Sequence, residues 1–157
     1  MYIQKRWLAM VLVFSIVLAF SACGNQIGSS EALDRNGWNV EYLDECGELT
    51  PREDISFINS TRIANGVEMV FKNNSDTDIM YDGWPGLQVK LDGKWYYVPY
   101  RPDVSHTAEL KCIRAGETVT EALSLLVYPS LPAGEYRAVM FGHAVDVTIY
   151  SSSNKLF

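Results

Sequence analysis

His106 and His143 are the only imidazoles in the 157-residue chain, and each has an acid close by, Asp103 and Asp146. Imidazole beside carboxylate is the pairing that zinc sites and hydrolases use, as ligand set or as base and orienting group. The two histidines are too far apart in sequence to share a helix or a hairpin, so they form a site only if their loops meet. Serines are plentiful, yet there is no Gly-x-Ser-x-Gly elbow to raise one as a nucleophile. Asn73-Asn74-Ser75-Asp76-Thr77-Asp78 offers oxygen ligands but lacks the glycine and the distal glutamate of a calcium loop, and it reads as a turn. No catalytic residue, metal site or cofactor is assigned on these grounds. A hydrolase or metal-binding protein using His106 and His143 stands as the alternative to a non-catalytic module.

The cysteine with the clearest chemistry is Cys23. Lys5 and Arg6 make a positive start, Trp7 to Phe20 is almost unbroken apolar sequence, and the small residues Ser21 and Ala22 follow. That is the order of a secretory signal, with its charged region, apolar region and small-residue cleavage site. A spanning helix needs about 20 apolar residues, and this stretch turns polar at Gly24, Asn25 and Gln26 before reaching that length. Phe20-Ser21-Ala22-Cys23 resembles a bacterial lipobox, with Phe20 in place of the usual aliphatic residue. The resemblance implies a diacylglyceryl group on the Cys23 thiol and a place on the outer face of the cytoplasmic membrane, at the cell surface. Two acyl chains suffice for stable anchoring. The alternative is a secreted protein cut after Ala22 with Cys23 free.

Cys46 and Cys112 then remain as an even pair in an oxidising compartment. They either bridge or stand as two separate buried thiols, and spacing alone does not choose between these. The whole chain carries a net charge of -6; loss of residues 1 to 22 removes Lys5 and Arg6 and no acid, leaving 11 bases, 19 acids and a charge of -8. Such a balance disfavours nucleic acid, which calls for clustered Lys and Arg. Anionic headgroups would repel it too, so the membrane contact falls to the lipid alone.

The elements behind these residues read as short strands. Residues 24 to 31 are small and polar, as in a flexible spacer. Apolar runs then alternate with turn residues: Ile55 to Ile58, Val67 to Lys72, Ile79 to Tyr81, Leu87 to Leu91, Lys94 to Val98, Ala108 to Ile113, Thr118 to Val127, Glu135 to Phe141 and Val145 to Tyr150. Asp92-Gly93 is a strong hairpin signal. No run after the signal keeps a helical period. The pattern predicts an all-β antiparallel sandwich or barrel.

Three stretches carry a family resemblance: Asn65-Gly-Val-Glu-Met-Val-Phe-Lys-Asn-Asn-Ser-Asp76, Asp92-Gly-Lys-Trp-Tyr-Tyr-Val-Pro99, and Ala115-Gly-Glu117 followed by Leu131-Pro-Ala-Gly-Glu-Tyr-Arg137. In this order they are similar to the bacterial immunoglobulin-like domain of Firmicutes lipoproteins and surface proteins, over residues 55 to 150. The resemblance implies an immunoglobulin-like β-sandwich and no enzymatic activity, and brings no settled ligand. The organisation expected is a lipoprotein signal peptide over 1–22, lipidated Cys23 and a flexible spacer over 23–38, and the sandwich over 39–157. The expected role is an interaction or accessory module at the surface, with a protein or glycan partner.

Leu131 to Tyr136 puts a tight turn just before a tyrosine at the start of a strand. That is the arrangement of a tyrosine corner, in which the phenol hydroxyl bonds backbone upstream, so Tyr136 is assigned a structural role and its neighbour Arg137 a solvated, tolerant one. Ala138 stands where antibody-type domains have their second core cysteine, so a bridge here would not be the usual inter-sheet one. Aromatics crowd residues 84 to 100, and strand alternation puts Trp95 and Tyr97 on the opposite face from Tyr96. Trp84, Tyr96 and Tyr100 are the expected contact surface.

Overall fold

Strand-forming runs and turn residues build the whole body, which the computed structural model describes over residues 32–34, 37–105 and 109–150. The strands are β1 (Leu33–Asp34), β2 (Gly37–Trp38), β3 (Ile55–Ile63), β4 (Gly66–Asn73), β5 (Ile79–Asp82), β6 (Gly86–Leu91), β7 (Lys94–Tyr97), β8 (Leu110–Ile113), β9 (Thr118–Ser124), β10 (Gly134–Met140) and β11 (His143–Ile149). A four-stranded sheet runs β11-β10-β6-β7 and a three-stranded sheet β3-β4-β9; β5 pairs with β8 and β1 with β2. Every pairing is antiparallel. The chain is an all-β immunoglobulin-like sandwich.

The core follows from alternation. Met69 and Phe71 on β4, Leu123 on β9, Leu87 and Val89 on β6, and Tyr136 and Ala138 on β10 all point between the sheets and are buried. Each large apolar side chain so removed from water contributes about 1.5–3 kcal/mol. Asn73, fully buried at the end of β4, donates to the carbonyls of Thr77, Ile113 and Arg114 and accepts from Ser75, so the polar stretch from 73 to 78 is a pinned turn.

Two hairpin turns use a left-handed backbone at both central positions. Asp92 and Gly93 have φ of 50° and 82°, as their dipeptide predicts. Phe141 and Gly142 have φ of 52° and 75° and join β10 to β11. Phe141 tolerates a conformation uncommon outside glycine, and its ring packs edge-on against Phe71 at 5.0 Å and against Tyr81 at 5.1 Å.

The structure departs from the sequence pattern in three places. β3 continues past Ile58 to Ile63; its outer half is exposed on both faces, so no apolar rhythm announces it. β9 ends at Ser124, and residues Leu125–Val127 form a 3-10 turn instead of more strand. The flexible spacer expected to run to residue 38 ends earlier: Ala32 is fully buried, β1 pairs with β2, and Trp38 is tied to β10 by a hydrogen bond. Cys23 and the signal stretch lie outside the described residues.

Candidate functional site

The outward face of the four-stranded sheet is where chemistry-bearing side chains gather. Register sets them opposite one another: Asp146 on β11 faces Arg137 on β10, Arg137 faces Gln88 on β6, and Gln88 and Lys90 face Tyr97 and Trp95 on β7. Cross-strand partners share a face, so these residues form one surface.

Arg137 is the hub. Its Nε donates to Gln88 Oε1 at 2.7 Å, and its guanidinium lies over the Trp95 ring, 4.1 Å from the centroid. Lys90 stands 5.9 Å from the same ring and pairs with Glu135 at 3.0 Å. Gln88 is fully buried although it faces outward, and its Nε2 has no hydrogen-bond partner. Burial pushes the Arg137 pKa below its usual value.

A strap continues the sheet beyond β7. Tyr97 N–H donates to the Asp44 carbonyl at 2.9 Å and Cys46 N–H to the Trp95 carbonyl at 2.8 Å, while Lys94 pairs with Glu45 at 2.8 Å. Strap, β7 and Arg137 line an open cavity of about 350 Å³. The Cys46 thiol at its wall has a pKa raised to about 11, chiefly by burial. Another cavity of about 360 Å³ opens between β3 and β11 over Ile63, Val67, Val145 and Val147.

Several expected sites move. Cys46 and Cys112 do not bridge: both thiols are free, Cys46 on the strap beside β7 and Cys112 on β8, which belongs to a different sheet. Nor is either fully buried, since Cys46 is partly buried and Cys112 exposed. Of the expected contact surface, Trp84 is exposed, but Tyr96 and Tyr100 pack against the core, Tyr100 stacked on Tyr128 at 4.9 Å. Tyr96 lies opposite Val89 on the inward face, which leaves Tyr97, 52% exposed, as the outward tyrosine.

His143 is a packing residue. It stacks on Phe57 at 6.0 Å, and its Nε2 lies 3.3 Å from the Ile55 carbonyl. Asp146 follows three positions later on the same strand, so the two point to opposite faces and cannot share a ligand. Asp103 is exposed and pairs with Arg101. His106 lies outside the described residues, and among those described no cluster of three or more His, Cys, Asp and Glu could hold a metal.

Tyr136 sits where the corner motif puts it. Its hydroxyl donates to the Pro132 carbonyl at 2.7 Å and accepts from Trp38 Nε1 at 2.9 Å. Sequence reasoning gave no role to Trp38, Gln88 or Glu121. Glu121 is buried, accepting from the Tyr81 hydroxyl at 2.5 Å and pairing with Lys111 at 2.8 Å. A glutamate at a core position of an alternating strand was the available signal for it.

The family whose model matches the chain is described as a bacterial Ig-like domain, over residues 54–147, more than half of the sequence. No curated protein and no solved structure matches.

Proposed function

The chain belongs to the bacterial Ig-like domain family, and from that premise we propose that it is a non-catalytic interaction module, held at the outer face of the cytoplasmic membrane by a lipid on Cys23. The family's sandwich suits binding more than catalysis. The anchor rests on the charged, apolar and small-residue succession that ends at Cys23. The observation that carries the binding role is the outward face of the four-stranded sheet, where Trp95, Tyr97 and Arg137 stand together beside a cavity. Tryptophan, tyrosine and arginine are the residues that dominate protein contact energies. No described residue favours the hydrolase alternative, since His143 is spent on Phe57 and the Ile55 carbonyl.

The test joins fractionation to crosslinking in the cell of origin. Wild-type protein should partition with membranes, and Cys23→Ser should be released or remain as an uncleaved precursor. Crosslinking through a photoreactive residue at Tyr97 should capture discrete neighbours. Unchanged membrane retention of Cys23→Ser would remove the anchor, and absence of any crosslinked species would remove the binding role.

A further inference from the structure

We propose that the cavity between the strap and β7 receives an acidic side chain, aspartate or glutamate, from a partner protein, with Arg137 as the group that reads its carboxylate. This rests on the reading of the domain as an interaction module and names the chemistry of what it takes.

The first support is where Arg137 does not go. Asp146 is its register partner on β11 and acts on it electrostatically, yet the two do not come within ion-pair distance. The guanidinium turns the opposite way, across β6, to lie on Trp95. β10 and β7 are two strand spacings apart, roughly 10 Å. Only the far end of the Arg137 side chain can therefore reach a cavity otherwise made by β7 and the strap.

The second is which nitrogens are used. Nε is held by the buried Oε1 of Gln88. Nη1 and Nη2 make no hydrogen bond or ion pair among the described residues. A guanidinium fixed through Nε and its ring face keeps its terminal fork open, and that fork matches the two oxygens of a carboxylate. Gln88 is the positioning residue: buried, it cannot swing away, and it holds the fork in one orientation.

The surrounding charges leave room for an anion. Glu45 is paired with Lys94 at 2.8 Å and Glu48 is exposed at the rim, which leaves Arg137 as the lining cation that no ion pair occupies. Arg137 is partly buried and has Asp146 near it without an ion pair, so an incoming carboxylate would offset the cost of that burial. The aromatic geometry favours a protein over a sugar. One face of Trp95 is covered by the guanidinium at 4.1 Å, which reduces its use as a stacking platform for a pyranose ring, while Tyr97 next to it stays exposed for contact.

The experiment is a titration of the isotope-labelled full chain in detergent micelles, read by the Trp95 indole and Arg137 Nε resonances. The probes are the capped peptides Ac-Gly-Glu-Gly-NH2 and Ac-Gly-Gln-Gly-NH2, with galacturonate as a separate arm. The glutamate peptide should shift both resonances saturably, and the glutamine peptide should bind about fivefold or more weakly, because it cannot accept a charge-assisted fork. Arg137→Lys keeps the charge and loses the planar fork, and should weaken the glutamate peptide by a similar factor, about fivefold, with the rest of the spectrum unchanged. Equal response to both peptides, or unaltered binding by Arg137→Lys, would overturn the proposal. Saturable binding of galacturonate through Arg137 without peptide binding would overturn the protein partner. If Arg137→Lys keeps the neighbours crosslinked in the cell, this inference fails while the interaction role stands.

Discussion

Trp38 donates its indole N–H to the hydroxyl of Tyr136 at 2.9 Å, across 98 positions of sequence, and the same hydroxyl donates to the Pro132 carbonyl. One phenol oxygen thus joins the N-terminal end of the described domain to the turn that precedes β10. There the sandwich is clasped by a single buried group.

Tyr136→Phe should cost about 1–3 kcal/mol in equilibrium urea unfolding, because it leaves a carbonyl and an indole N–H without their partner while the ring stays packed. Lys72→Ala, exposed on β4, should change stability by about 0.5 kcal/mol or less. Equal and negligible effects at the two positions would count against the clasp.

Alkaline pH should weaken the fold well before it touches the backbone. Burial raises the pKa of Tyr136 from 10.0 to about 12 and that of Cys46 from 9.0 to about 11, and it raises Tyr81 and Tyr128 as well. Below pH 9 these groups hold their protons in both states and their contribution is complete. Above it the unfolded chain releases protons first, so stability falls as pH rises through the folded values. Urea midpoints at pH 8, 10 and 11 should decline in that order, and less steeply in Cys46→Ser. A flat profile would contradict the burial of these groups.

The strand pattern was legible because it is written in alternation and turn chemistry. Val67, Met69 and Phe71 give β4, Asp92-Gly93 gives the β6–β7 turn, and Leu131 to Tyr136 gives the corner. What the sequence hid was long-range or against type. The Phe141-Gly142 turn has a bulky residue where asparagine or aspartate is usual, and only the rings of Phe71 and Tyr81 explain it. The outward cluster needs the order β10-β6-β7, which brings together Arg137, Gln88 and Trp95 from distant segments. Alternation correctly separated Tyr96 from Tyr97, but it could not say which of the two faced the core.

Two glycines with similar backbones should respond differently to alanine. Gly93 and Gly142 have φ of 82° and 75°; a methyl at Gly93 meets open space, whereas at Gly142 it would lie 2.0 Å from the Thr50 carbonyl oxygen. Gly93→Ala should cost about 1–2 kcal/mol from the left-handed backbone alone. Gly142→Ala should cost clearly more, since the segment through Thr50 and Pro51 must move. Similar urea midpoints for the two variants would show that the segment does not press on the turn.

Thiol labelling should find two unequal cysteines and no bridge. Cys112 is exposed, while the raised pKa of Cys46 suppresses its thiolate, and the thiolate is the reactive form. Iodoacetamide at pH 8 without prior reduction should modify Cys112 first and Cys46 slowly, with both modified on unfolding, as read by peptide mass. Resistance of both to alkylation until a reductant is added would mean that they are paired.

The last prediction separates a solvated arginine from a positioned one. Alternation alone gives Arg137 an outward place and a tolerant one, with a loss of roughly 0.5 kcal/mol or less on change to alanine. The structure assigns it more: Arg137→Ala strips the partner from Gln88 Oε1, which is buried beside an Nε2 that already lacks one. A buried polar group left unpaired costs about 1–3 kcal/mol, whereas removing both partners together can be nearly neutral. Arg137→Ala should therefore be destabilising by that amount, and Gln88→Leu added to it should restore part of the loss. The double-mutant cycle in urea isolates the pair, because both changes lie on one face and the inward residues are untouched. Strict additivity of the two changes would mean that Gln88 does not hold the guanidinium, and the open fork at the cavity would lose its support.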